Sequence, residues 1–401
     1  MKTSPITKNN RLKKAPPLRA NDPVVTELWV RAGGRCEFHG CNDYLLQDSL
    51  STNQGKLADI AHIVARSKDG PRGNDSMPLS MRNRIDNLFL ACTKHHRMID
   101  NEKLVANFPK EVLQAYKTTH EERIRYITGL ADNNETVVVR VISKVRGKTA
   151  SISNEEIRSA VLASANRYPR YLGGEHHVEI DLTMIAERIS EQYWKEGQAR
   201  IKDIVDRRLT PAIEKKEVRH LSVFAFARIP FLAYLGRVIG EAVPLDIYQK
   251  QKTGDEGWAW IKDGEIQKFL LRKDREGTDR SKIAIVLSIS GHVPIEHLPD
   301  RITDSFSIYS IAPQATQPSR NLLRTKGSFE EFKTTYERLL REVEANHPQA
   351  ELVHVFPAVP IPVAIVIGRF MLPSVSPSLL VYEKGQRKFE PTILLESTPK
   401  G

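Results

Sequence analysis

The sequence predicts an α/β protein in two parts, a small metal-stapled N-terminal domain and a larger domain built on covered sheets. Three observations predict it. All three cysteines and a dense group of histidines fall between residues 21 and 125. From Glu135 onward, near-continuous apolar runs alternate with amphipathic stretches, as expected for sheets covered on both faces by helices. Between the two textures lies GLADNN (129–134), a run of turn residues. A chain of 401 residues has room for two or three domains.

Taken in order, residues 1–20 carry six basic side chains and no acid, the composition of a mobile basic arm. The domain at 21–128 ends in a charged helical segment, Pro109 to about Ile127. A linker spans 129–136, and the second domain occupies 137–401. There, VVVRVI (137–142) reads as a strand and 182–215 as a long helix or a broken pair. LSVFAFA (221–227) reads as a buried strand, with a helix at 231–240 behind it. Further strands are expected at 283–290, 305–312, 351–356 and 378–384, and helices at 328–345 and 361–370. The pattern occurs twice, once on each side of about residue 270, although no short sequence repeat stands out.

The formal net charge of +11 points to a polyanionic partner, nucleic acid first, with general solubility as the bland alternative. No apolar run reaches the roughly 18 residues of a membrane span, and no apolar segment follows the basic N-terminus as in a secretory signal. The expected location is therefore the cytoplasm. Three cysteines do not make a disulfide framework.

They do make a metal pattern. Cys36 and Cys41 form one pair, and Cys92 and His95 another. Three thiolates and an imidazole suit tetrahedral zinc, and a closed set of four ligands is structural. Each pair sits on one short turn, and the long separation between pairs lets the ion staple a small domain. His39 is a competing ligand, and the bland alternative is buried thiols beside surface histidines.

Between the pairs, ADIAHIVARSKDG (58–70) reads as a strand carrying His62. NRIDNLFLACTKHHRMID (83–100) reads as a turn with Asn87, a short apolar strand, and a helix starting near His95. The order His62, Asn87, His96, nested inside zinc-ligand pairs over residues 30–105, resembles the HNH endonuclease motif of the ββα-metal fold. The resemblance implies that His62 is a general base for phosphodiester hydrolysis and that Asn87 orients it or the turn carrying it. It implies that His96 holds a catalytic Mg²⁺ or Mn²⁺. Many members carry a ligand just before the base, where this chain has Ala61. Asp59, on the same strand face, is the expected replacement. Arg66, Arg84 and Arg97 are candidate grips on DNA phosphates, together with Lys68, Arg72 and Arg82. Such contacts position a duplex without reading it.

The larger domain shows no catalytic constellation. Residues 220–250, WAW (258–260), IAIVLSISG (283–291) and 351–369 resemble the SAVED domain, over roughly 135–401. That resemblance implies two fused Rossmann-like (CARF-type) halves that bind a cyclic di- or trinucleotide. With an HNH domain it implies an effector nuclease of bacterial anti-phage (CBASS) systems. Messenger binding would drive assembly, from dimer to tetramer, and switch on degradation of double-stranded DNA. Because ligands of open α/β sheets sit beyond the carboxyl ends of strands, several residues are candidates. Arg228, Arg320 and Lys326 would take phosphate, and Ser288, Ser290 and Gly291 phosphate or ribose. Tyr248, Trp258 and Trp260 would stack on bases, and Phe356 and Pro357 mark another strand end. Two alternatives differ in kind. One is a sequence-specific restriction-type HNH nuclease whose large domain recognises DNA. The other is a non-catalytic, zinc-stapled DNA-binding protein.

Overall fold

The computed structural model describes residues 14–19, 22–47, 58–130, 132–170, 172, 175, 177–186, 188–251, 257–372 and 375–397. Residues 1–13 and 20 of the expected basic arm lie outside the described set, as does His176. The chain divides into two compact units, residues 1–130 and 131–401.

The first unit contains α1 (Pro23–Arg31), β1 (Ala58–His62), β2 (Leu88–Cys92), α2 (Thr93–Ile99) and α3 (Lys110–Thr128). β1 and β2 pair antiparallel, with Ala61 opposite Phe89 and His62 opposite Leu88. α2 leaves β2 directly, giving a strand–strand–helix order. Leu88, Phe89, Leu90 and Ala91 are all buried, so β2 is the apolar spine of the unit, with Leu28, Ile63 and Leu113 packed in the same core. This core is small, as expected where a bound ion supplies part of the stability. Residues 14–19 are not a free arm: Ala15 N–H donates to Arg66 O, and Asn83 Nδ2 donates to Pro16 O.

The second unit begins with β3 (Glu135–Ile142), α4 (Asn154–Ala165), β4 (Tyr168–Arg170) and β5 (Val178–Asp181). Ser153 and Glu156 form a capping box on α4, a start signal legible as S-x-x-E. One continuous helical run follows, α5 (Glu191–Ile204), a π turn (Val205–Leu209) and α6 (Thr210–Glu214). It starts at the Ser190 cap, so the expected helix does not include residues 182–186 and 188–190. β6 (Leu221–Phe226), α7 (Ile229–Ile239) and β7 (Leu245–Tyr248) complete the first half. Its sheet is entirely parallel, in the order β4-β3-β6-β7, and β5 continues the edge that β4 begins.

The second half contains β8 (Phe269–Arg275), β9 (Ile283–Ser288), β10 (Ser307–Pro313), α8 (Lys326–Asn346), β11 (Leu352–Ala358), α9 (Ile361–Arg369), β12 (Ser378–Lys384) and β13 (Phe389–Leu395). The order is β13-β12-β11-β9-β10-β8, with a parallel centre and antiparallel edge strands β13 and β8. The central strands are the near-continuous apolar runs of the sequence; β9 is buried at every position. β8 escaped notice because its second half, Arg272–Arg275, is charged, as edge strands often are.

The two halves do carry a short sequence repeat. Ile229-Pro230 through Gly236-Arg237 matches Ile361-Pro362 through Gly368-Arg369, at a constant offset. The matched helices pack on each other. A Cβ on Gly236 would lie 1.9 Å from Ile365 O, and one on Gly368 would lie 1.9 Å from Ala233 O. The contact is reciprocal, with equivalent residues meeting across a pseudo-twofold axis, and only glycine permits that approach.

Candidate metal centre, hydrolytic site and ligand pocket

In the first unit, Cys36, Cys41, Cys92 and His95 converge, their ligand atoms all within 4.8 Å of one another. His95 Nδ1 lies 3.2 Å from Cys92 Sγ and 3.7 Å from Cys36 Sγ. Gly40, at φ +78°, lets the chain turn tightly between Cys36 and Cys41. The His95 ring stacks on Phe38 at 4.1 Å, which fixes its plane. Burial pushes the Cys36 and Cys41 thiols up, so in the absence of a cation they stay protonated. A closed tetrahedral set of soft donors fits zinc in a structural role. His39 is not in the set; its ring stacks on Tyr116.

β1 and α2 bring a second group together. His96 sits between two carboxylates, Nδ1 at 3.5 Å from Asp59 and Nε2 at 3.3 Å from Asp100. Those partners raise its pKa, Asp100 most. Asp100 escaped sequence reasoning, although it lies one helical turn after His96. Ala61 points into the core and is buried. His62 is half-buried, and burial lowers its pKa. Both His96 and Asp100 act electrostatically on it.

Its hydrogen-bond partner is Asn83 rather than Asn87. Asn83 Nδ2 is committed to Pro16 O, so its Oδ1 faces His62 and accepts from Nε2–H at 3.0 Å. In the neutral ring this leaves the lone pair on Nδ1. Asn87 is buried and holds the turn: its side chain bonds Val64 N, Val64 O and Arg82 O, all at 2.8–2.9 Å.

Of the expected phosphate-gripping side chains, Arg84 and Arg97 are exposed, and Arg66 is half-buried with Nη2 on Ala15 O. Arg82 and Arg72 serve the fold instead. Arg82 is 1 % exposed and bonds the carbonyls of Ala65, Ser67 and Gly73. Arg72 bonds Ile63 O, Ile99 O and Asp100.

In the second unit, a cavity of 560 Å³ opens beyond the carboxyl ends of β6 and β11, between the N-termini of α7 and α9. Phe226, Ala227, Leu232 and Val359 give it apolar walls, while Ser290 and Arg320 bring polar groups to it. Asn321 lines it beside Arg320, and so do Gln249, Lys250 and Gln251, which were not singled out from sequence because lone polar side chains after a strand carry no motif. A Cβ added at Gly291, beside Ser290, would meet only the Ala358 Cβ, at 4.0 Å.

The other expected ligand residues are engaged elsewhere. Arg228 is 7 % exposed and forms an ion pair with Glu383 at 2.7 Å. Burial pushes the Glu383 carboxyl up, and Arg228 opposes that shift. Lys326 is the first residue of α8, after the Thr325 cap, and pairs with Asp246 at 2.9 Å. Ser288 Oγ accepts from Val293 N. Tyr248 is buried and stacked on Phe224, and Trp260 stacks on Phe329 while donating to Ile247 O. Phe356 and Pro357 are buried in β11, Phe356 against Tyr382. Aromatic and apolar strand residues in a doubly covered sheet face helices, not ligand, which is why Tyr248, Phe356 and Pro357 do not reach the cavity. Trp258 does reach it, but edge-on to Phe224 and 2 % exposed.

Two parallel-centred sheets joined by helices about a pseudo-twofold, with a partly polar cavity at the strand ends, define a two-lobed ligand-binding α/β domain. Residues 201–395 match the family model described as "SMODS-associated and fused to various effectors sensor domain", SAVED, and the C-terminal half of the chain carries that sensor domain. Among solved structures, the chain is similar to the Acinetobacter baumannii Cap4 SAVED/CARF-domain containing receptor. With the cyclic trinucleotide 2'3'3'-cAAA, that receptor aligns at 12% identity and TM-score 0.42, covering 72% of this chain and 56% of that one. With 3'3'3'-cAAA the values are 11%, 0.43, 72% and 60%. The Moraxella osloensis Cap4 SAVED/CARF-domain containing receptor gives 13%, 0.37, 75% and 64%. The chain spans less than two thirds of each of these chains. No curated protein matches it. Among the described residues, no helix is long and apolar enough to cross a membrane.

Proposed function

We propose that the protein is a DNA endonuclease switched on by a cyclic oligonucleotide, with an HNH-type hydrolytic site in the first unit and the sensor in the second. The observation that carries this reading is the grouping of His62, Asp59 and His96 on a zinc-ligand-framed strand–strand–helix unit, in a chain whose other half is a SAVED sensor domain.

His62 Nδ1 takes the proton of the attacking water. Asn83 holds the ring in the tautomer that leaves Nδ1 free. Asp59 and His96 would hold a Mg²⁺ or Mn²⁺ ion, and Asp100 orients His96 from its other nitrogen. Such an ion, when bound, stabilises the charge that builds on the phosphoryl and leaving oxygens. Asn87 keeps the turn after β1 in place, so that His62 and α2 stay in register. Arg66, Arg84 and Arg97 are the phosphate contacts. The cavity between α7 and α9 receives the messenger, with Arg320 and Ser290 at its polar rim and the helix N-termini facing its phosphates; Gly291 adjoins Ser290. Messenger binding favours an assembled, active form of the protein, dimer to tetramer, over the inactive one. The role is abortive anti-phage defence in the bacterial cytoplasm.

The test is plasmid degradation in Mg²⁺ with and without a panel of cyclic di- and trinucleotides, beside a His62→Ala control. The expected result is a smear that needs one messenger and is lost in the control. Discrete bands without any messenger would overturn the gating, and equal cutting by the control would overturn the site.

A further inference from the structure

Three residues that line the cavity between α7 and α9 each carry a polar atom that is buried without a hydrogen-bond partner among the described residues: Gln249 Oε1, Gln251 Nε2 and Trp258 Nε1. The residues are 8 %, 6 % and 2 % exposed. An unsatisfied buried polar atom costs on the order of 1–3 kcal/mol, so three at one wall need a reason.

Two of the three have a fixed sense. The indole nitrogen of Trp258 can only donate. The Gln249 amide is locked because its Nε2 donates to Leu323 O at 3.1 Å, which turns the acceptor Oε1 away from that carbonyl. Two lining residues therefore hold an unpaired donor and an unpaired acceptor on planar, rigidly packed groups. Trp258 is held edge-on by Phe224, and Phe224 is stacked on Tyr248 at 4.3 Å. Gln251 is fixed through its backbone, whose N–H donates to Gly257 O, and adds a second donor.

A phosphate offers only acceptors and would leave Gln249 Oε1 unpaired. The rest of the lining favours a flat apolar body over a hydroxyl-rich sugar, with Phe226, Ile229, Leu232, Val359 and Ile361 around the cavity. A group with a planar apolar body and a donor beside an acceptor on its edge is a nucleobase. Lys250 and Arg320 carry the positive charge suited to the ligand's phosphates.

We propose that Gln249, Gln251 and Trp258 form a base-reading wall, which selects the activating nucleotide by the hydrogen-bonding edge of one base rather than by stacking. This rests on the reading of the cavity as a cyclic-oligonucleotide site and deepens it. A site built to pair with a base edge penalises a base with the wrong edge, because its own buried groups then stay unpaired.

The experiment is calorimetric titration of the full chain with cyclic di-AMP, cyclic di-GMP, cyclic di-UMP and cyclic tri-AMP, repeated on Gln249→Leu, Gln251→Leu, Trp258→Phe and Lys250→Ala. Thermal melting of each variant checks folding; Trp258→Phe keeps the aromatic packing while deleting the donor. The expected result is a wild-type preference among bases that Gln249→Leu and Trp258→Phe flatten, with a loss of roughly 10- to 100-fold for the best probe. Lys250→Ala should weaken all probes alike. Uniform weakening by the wall variants, with the preference among bases intact, would overturn the base-reading wall but leave the nucleotide site standing. Binding of none of the four probes by the wild-type chain would overturn both.

Discussion

His62 owes its tautomer to a residue outside the motif that first drew attention to it. Asn83 spends its amide nitrogen on Pro16 O and so can only accept from His62 Nε2. Burial lowers the pKa of His62 below the ordinary histidine value of about 6.5, which under the proposed role keeps it neutral on the acid side of that value. The acid limb of the rate profile should accordingly fall below that value. Asn83→Asp, which puts a carboxylate beside the ring, should move the limb to higher pH; initial rates of plasmid cleavage across pH 5 to 8 check both. A second histidine titrates for stability instead. His354, buried against Tyr382, has its pKa lowered to about 4 by burial, with Nδ1 against the Tyr382 hydroxyl at 2.8 Å. The folded form resists the proton that the unfolded chain accepts, so stability falls as pH drops from about 6.5 through about 4, by at most about 3 kcal/mol. Urea unfolding at several pH values should show that slope, and His354→Phe should flatten it. His62, Asn87 and His96 were legible as candidates through a resemblance to a motif that lies around zinc-ligand pairs. It missed Asn83 and Asp100, whose roles depend on what their other atoms already bond.

At the scale of elements, two devices hold the chain in shape, and each invites a direct test. The zinc-type cluster ties the loop after α1 to the β2–α2 junction. One zinc per chain is the expected content by elemental analysis, and Cys36→Ser should abolish it and unfold the small first unit. The α7–α9 crossing is the other device. Gly236→Ala or Gly368→Ala would drive a methyl group into a carbonyl at 1.9 Å. Each should cost at least about 1–3 kcal/mol in a melting experiment and weaken messenger binding, since the same helices carry the cavity. The central strands and long helices were legible as apolar runs and amphipathic periods. The charged edge strand β8 was not, and neither was the repeat, whose Ile-Pro and Gly-Arg positions are separated by unlike apolar residues. What repeats is a backbone requirement, and only the packed helices show it.

For the whole molecule, each unit has its own core, so separate perturbations should move separate transitions. A zinc chelator is expected to lower the melting of residues 1–130. A messenger at about 100 times its dissociation constant should raise that of the sensor by about 2.7 kcal/mol. Within the sensor, Arg228 on one half and Glu383 on the other form a largely buried ion pair. Removing one partner leaves a buried charge and should cost roughly 3–5 kcal/mol, while replacing both with leucine should cost much less; denaturant titration of the single and double variants decides it. The reciprocal glycine contact has a mechanical meaning as well. Helices that touch backbone to backbone at one point, with matched residues on both sides, block sliding in either direction but leave rotation about that point open. The cavity lies at the N-terminal ends of the same two helices, away from that point. A small turn about the crossing therefore becomes a larger change in the gap between its lips, and the glycines act as the fulcrum of a lever.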